Sequence, residues 1–242
     1  MLEVAIEDLR GLLVAREGGA ARVELCSALE LGGVTPSIGL VGQVVNRGLP
    51  VHVLVRSRAG DFVYEGAEVD VMIEDSLAAI AMGVEGLVIG AGDRSGLDCD
   101  ILRRWVARAR QAADARGQNL SLTLHRVFDL LDNPLVGLED AISLGFDRIL
   151  TSAGCVAAGD GLARFGDLVG GASGRIALMA GGGLQPEVVA ALKAVGIGEF
   201  HASCREVSSV PFDPRLRELG FAAGAARCTD LARVRAFVAA AG

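Results

Sequence analysis

All three histidines of the chain, His52, His125 and His201, sit in short β-prone runs where polar and apolar residues alternate. VHVLVR sets His52 and Arg56 against Val51, Val53 and Val55. LSLTLH sets Ser121, Thr123 and His125 against three leucines, and EFHAS sets Glu199, His201 and Ser203 against Phe200 and Ala202. LEVAI and RVELC repeat the pattern with Glu3 and Ala5, then with Arg22, Glu24 and Cys26. Strand side chains point alternately to opposite faces, so these runs predict one apolar face and one ionisable face. Imidazole titrates near neutral pH and a desolvated carboxylate shifts toward it, which makes Glu24, His52, His125 and His201 candidates for general acid and base. The plainer alternative stays open for each residue singly: a Glu–Arg or Glu–His pair with Arg22 or Arg148 as counter-ion is a structural device.

Two features suit an anion. Arg56 closes its strand run, where a guanidinium can grip a carboxylate or phosphate with two parallel bonds. Gly181, Gly182 and Gly183 follow the run ALMA and precede Gln185-Pro186, a helix start. Glycines there free backbone amides for an anion, and a tight turn into the helix is the competing reading. His125-Arg126 with Asp129 is a third polar cluster at a strand end. GAGDRSG (90–96) imitates a dinucleotide fingerprint, but its spacing is wrong and Asp93 would repel pyrophosphate, so a loop is expected.

Other chemistry is excluded by counting. The single lysine, Lys193, lies in the helical run EVVAALKAV, a poor setting for a Schiff base. Five cysteines, far apart and without a CxxC pair, suit free thiols in a reducing compartment. A net charge of −7 without a basic cluster argues against nucleic acid, and no apolar stretch is long enough for a membrane. The opening MLEVAIED has no basic region ahead of an apolar one, so a cytoplasmic location is expected.

Eight strand-like runs (2–6, 22–26, 51–56, 86–90, 120–125, 148–152, 175–180 and 199–203) alternate with helix-period segments, several ending at glycine (Gly48, Gly83, Gly117, Gly145 and Gly196). In a chain of 242 residues this predicts an α/β fold: a single (β/α)8 TIM-type barrel spanning residues 1–242. TDLARVRAFVAA adds an extra C-terminal helix with Thr229 as its N-cap. Helices must cover the apolar strand faces, so the ionisable set should fill the lumen. Cys26, Arg56, His125, Ser152 and Ser203, nearest the strands' C-terminal ends, should stand at the mouth.

RVELCSALELGGVTPSIGL, VHVLVRSRAGDFVY, LTLHRVFD, DRILTSAG, ALMAGGG and EFHAS resemble, in order, the blocks of the CutC copper-homeostasis family, from Leu2 to about Arg205. The resemblance implies a TIM-type barrel, a cytoplasmic location, homo-oligomers and a role linked to copper. It suggests Cys26, with Cys204, as thiol ligands for Cu(I). The family's first strand often carries a cysteine where this chain has Ala5. Two expectations therefore stand together. One is a copper-binding homeostasis protein. The other is an enzyme acting on a small phosphorylated or carboxylated molecule through acid/base chemistry.

Overall fold

The computed structural model describes residues 1–222 and 224–242. Eight parallel strands close on themselves: β1 (Leu2–Ile6), β2 (Arg22–Leu25), β3 (Val51–Leu54), β4 (Gly86–Ile89), β7 (Ser121–Leu124), β8 (Arg148–Thr151), β9 (Ala177–Ala180) and β10 (Glu199–Ala202). Between β4 and β7, GAGDRSG forms a small antiparallel ribbon of β5 (Gly92–Asp93) and β6 (Gly96–Leu97). Asp93 turns back there to accept the Ser95 amide and hydroxyl.

Helices return the chain from one strand to the next. They are α1 (Leu9–Glu17), α2 (Ile38–Val44), α3 (Gly66–Met82), α4 (Cys99–Asp114), α5 (Pro134–Leu144), α6 (Leu162–Ala172) and α7 (Val189–Ala194). Their ends follow local chemistry. Asp8, Ser37, Asp98 and Asn133 cap N-termini with side-chain oxygens, and α3 and α5 stop at left-handed Gly83 and Gly145. After β10 comes an excursion of β11 (Arg205–Val207), the single-turn α8 (Pro214–Glu218) and β12 (Arg227–Thr229), before the C-terminal helix α9 (Leu231–Ala241) packs against α1 and α7. Thr229 is not the cap of that helix. It is the last residue of β12, paired with Arg205, and Asp230 caps α9 by accepting the Arg233 amide.

The outward strand residues Val4, Ile6, Val23, Val51, Leu87, Leu122, Ile149 and Phe200 are fully buried against the helices, with Leu12, Trp105 and Phe165 on the facing side. Each such side chain contributes roughly 1.5–3 kcal/mol of burial. The Trp105 indole N–H is satisfied by the Ser76 hydroxyl at 2.8 Å. A second, much smaller apolar cluster of Leu29, Leu54, Val88 and Cys26 is separate from this shell.

Register sets the polar face. Across the closing seam Glu3 pairs with His201 on one side and Arg22 on the other, while Ala5, Glu24, His52, Gly86 and Ser121 form one continuous row. Among the described residues, no helix is long and apolar enough to cross a membrane.

Candidate active site

The lower lumen is an ionic lattice. Arg22 donates through Nε to Glu3 and through Nη2 to Glu199 at 2.7 Å, and Arg148 grips Glu199 with Nε and Nη2. Burial opposes the charge on both carboxylates. The His201 hydrogen bond and the Arg22 charge outweigh it at Glu3, and the bonds from Arg148 and Arg22 do so at Glu199, so both titrate below the usual carboxylate range. Arg22 and Arg148 thus serve as the counter-ions the sequence suggested.

Above this lattice Glu3 holds one histidine and lies near another. His201 Nδ1 lies 2.7 Å from Glu3 Oε1, which places the proton on Nδ1 and turns Nε2 toward Glu24 Oε2, 3.7 Å away. Burial disfavours the imidazolium, but the charges of Glu24 and Glu3 and the Glu3 hydrogen bond win, and the His201 pKa rises. Glu24 goes the same way for the opposite reason: burial pushes its carboxyl up, and its one hydrogen-bond donor among the described residues is the Cys26 thiol at 3.2 Å. His52 Nδ1 lies 3.6 Å from Glu3 Oε2 without a hydrogen bond, and burial pushes its pKa down to about 4.

Glycines make room for these rings. A Cβ on Gly86 would lie 2.5 Å from His52 Cδ2, one on Gly90 2.6 Å from His125 Cε1 and Nδ1, and one on Gly181 3.0 Å from His201 Cβ. Each histidine therefore leans on a neighbouring strand that presents no side chain at that point. Sequence reading missed Gly86 and Gly90, although the period-two alternation of GLVIG does place both on the inner face.

At the C-terminal ends of the strands the lumen opens into a cavity of about 370 Å³. Glu24, His125, His201, Arg56, Gly182, Gly183 and Cys204 line it, whereas His52, Cys26 and Gly181 lie outside its wall. Arg126, Arg205, Arg227 and Arg233 also reach it, the last three from the excursion and the terminal helix, where nothing in the sequence signalled a role. Arg126 is fixed by Asp129 and Ser152, and Asp129 also accepts the amides of Ser152 and Gly154. Gly182 makes room for the Arg126 guanidinium, which a Cβ would approach to 2.7 Å. The Gly181 amide is taken by the Thr151 carbonyl, and the triple-glycine loop leads only into a 3-10 turn and the six-residue α7. Arg56 spends both terminal nitrogens on loop carbonyls: Nη1 on Leu31 and Gly33, and Nη2 on Gly60. Lys193 is exposed and donates to the C-terminal carbonyls of Ala241 and Gly242.

The thiols do not fit a Cu(I) centre. Cys26 belongs to the small inner cluster with Leu54 and Val88, while Cys204 packs into the outer core. Burial, and at Cys26 also the Glu24 charge, pushes both thiols up, Cys204 to about 12, away from the thiolate that soft metals require. Among the described residues no three His, Cys, Asp or Glu side chains converge as a metal site.

The sequence model of the CutC family matches residues 1–206. A CutC family protein from Agrobacterium fabrum is 45% identical over 241 residues, covering 97% of this chain and 91% of its own. One from Sinorhizobium medicae is 43% identical over 238 residues, covering 98% and 94%. A Streptococcus agalactiae CutC structure, whose description proposes a part in copper homeostasis, superposes with a TM-score of 0.76 at 27% identity over 84% of this chain and 98% of that one.

Proposed function

This chain belongs to the CutC family, associated with copper homeostasis, and we propose that its barrel is an enzyme acting by acid/base chemistry on a small anionic molecule. The observation that carries this reading is the Glu24–His201 pair at the floor of the cavity. The two groups lie 3.7 Å apart and are not hydrogen bonded, and both have pKa values raised by their surroundings. A raised pKa makes the Glu24 carboxylate a stronger base and keeps the His201 imidazole charged as an acid, so the two can divide those roles. Glu24 takes a proton from carbon, and the His201 imidazolium, anchored through Nδ1–H on Glu3, gives its Nε2 proton to the substrate oxygen that becomes negative. Such a pair contributes on the order of 10²–10⁴-fold in rate. At the mouth Arg126, Arg205 and Arg233 are ion-paired with Asp129, Glu7 and Glu206, whereas Arg227 has no carboxylate partner among the described residues and supplies the charge that draws in an anion. A reducing cytoplasm suits the five unbridged cysteines.

The test works without naming the substrate. The protein is incubated in D2O with pools of small carboxylates and phosphate esters, and proton NMR records which C–H signals exchange. At least one compound should lose a C–H signal with the wild type. The rate should fall at least 100-fold in Glu24→Gln and in His201→Gln. Exchange that survives in both variants would overturn the assignment. So would a protein that exchanges nothing yet binds stoichiometric Cu(I) lost in Cys26→Ser.

A further inference from the structure

The cavity wall between the ends of β3 and β7 carries two buried N–H groups that no atom among the described residues accepts. His125 Nδ1 accepts the Val127 amide at 3.1 Å, which leaves the ring proton on Nε2, and that nitrogen is buried without a partner. Arg56 has committed Nη1 and Nη2 to carbonyls, and its Nε is also buried without a partner. Both residues are about 5% exposed and both line the cavity. Phe62 lies against the two of them, its ring centroid 4.7 Å from that of His125 and 4.9 Å from the Arg56 guanidinium carbon. Buried donors are normally paired, and the exceptions call for a missing acceptor.

We propose that His125 and Arg56 form a carboxylate subsite, one oxygen accepting from His125 Nε2–H, the other from Arg56 Nε–H, with the planar group laid against Phe62. A phosphoryl group fits less well, because its third oxygen would face the aromatic ring with no donor. Burial and the neighbouring Arg56 charge push the His125 pKa down to about 3, so the ring stays neutral and keeps its Nε2 proton. His125 is then a binding residue, not the acid or base that its place at a strand end suggested. The proposal rests on the enzyme reading of the same cavity and names one end of the substrate: a carboxylate, held away from the Glu24–His201 pair that handles the reacting end.

Oxalate is the probe, with inorganic phosphate in parallel. In the 15N-histidine spectrum of the full chain, oxalate should move the His125 Nε2 proton downfield while Nδ1 stays unprotonated. By calorimetry His125→Ala should weaken oxalate about tenfold, the usual effect of one lost hydrogen bond to an anion. His125→Gln, whose amide offers an N–H near the same place, should recover most of the loss. Arg56→Lys keeps the charge, removes the Nε donor and should weaken oxalate similarly. Arg56 also ties loops together, so the two His125 variants and the wild-type spectrum decide the matter without it. Oxalate that does not bind, binds wild type and His125→Ala equally, or binds no better than phosphate would overturn the subsite. Glu24→Gln separates the two proposals: it should abolish C–H exchange and retain His125-dependent oxalate binding, so each can fail alone.

Discussion

Glu3 and His201 stand opposite one another across the seam that closes the barrel, 2.7 Å apart at Oε1 and Nδ1 although 198 residues separate them in the chain. Glu3 also accepts from Arg22, so one fully buried carboxylate joins the ionic lattice below to the candidate acid above. It is a positioning residue in two senses: it fixes which His201 nitrogen carries the proton, and it holds the imidazolium charged.

Glu3→Gln should therefore lower the His201 pKa and leave Arg22 short of a counter-charge. Breaking a buried pair by removing one partner costs about 3–5 kcal/mol. A loss near the lower end is expected, because Arg22 retains Glu199. Urea denaturation gives the stability change and histidine NMR titration the pKa. An unchanged His201 titration would remove Glu3 from this role.

Stability should fall steeply on mild acidification. His52 and His125 have folded pKa values of about 4 and about 3 against an ordinary 6.5. Below pH 6.5 the unfolded chain binds two protons that the folded chain refuses, so each histidine removes about 1.4 kcal/mol per pH unit as pH falls toward its folded value. His201 is raised and works in the other direction: its stabilisation is complete below 6.5 and is lost as pH rises through its folded pKa. Glu3 and Glu199, both lowered, contribute fully above their ordinary 4.5 and add to the loss only beneath it. Glu24, raised by burial, opposes His52 and His125: above its ordinary 4.5 the folded chain still holds a proton that the unfolded chain has released. Between pH 6 and 4.5 the slope of unfolding free energy should thus lie below two protons. In His125→Gln it should be smaller by about one proton, which urea titrations at several pH values would read.

Adding a methyl group at the inner glycines should displace the histidine rings. Gly86→Ala and Gly90→Ala each place a carbon within about 2.6 Å of a ring, and overpacking of this kind costs about 1–3 kcal/mol. Gly90→Ala should also weaken oxalate, since it pushes on His125 itself. Gly170→Ala, on α6 with nothing within 4 Å, is the contrasting change and should stabilise by about 0.5–1 kcal/mol. Thermal melts of the three variants, compared with wild type, test the set.

Much of this architecture is legible in the sequence because period-two alternation determines both strand identity and strand face. The expected runs contain all eight barrel strands, and the residues assigned to the inner face meet there: Glu3 with Arg22, Glu24 with His201, Arg148 with Glu199. Tertiary detail is not legible. Arg56 at a strand end looks free to grip a ligand, but loops from either side return carbonyls to its terminal nitrogens, and only distant backbone geometry decides that. The Gly181 amide is similarly absorbed by the sheet. Arg227 and Arg233 reach the mouth only because the chain turns back after β10, and that excursion has no periodic signature. The ring-accommodating glycines are visible only once neighbouring strands are in register.

The thiols offer a separate check. Cys26 and Cys204 are buried, with 0% and 2% exposure, and both are held protonated, whereas the other three cysteines are partly exposed. A thiol-disulfide reagent at pH 8 should label no more than those three in the native protein and all five after unfolding. Rapid native labelling of Cys26 would contradict its place beside Glu24.

The seam also has a consequence for how the molecule is made. β1 precedes the other barrel strands in the chain, and one of its two edges pairs with β10. About two hundred residues must be synthesised before that edge is covered, and closing so long a loop is slow relative to pairing neighbouring strands. Until then β1 keeps an unpaired edge and Glu3 has Arg22 but not His201, so pairing β1 with β10 closes the cylinder and gives His201 its counter-charge at the same moment.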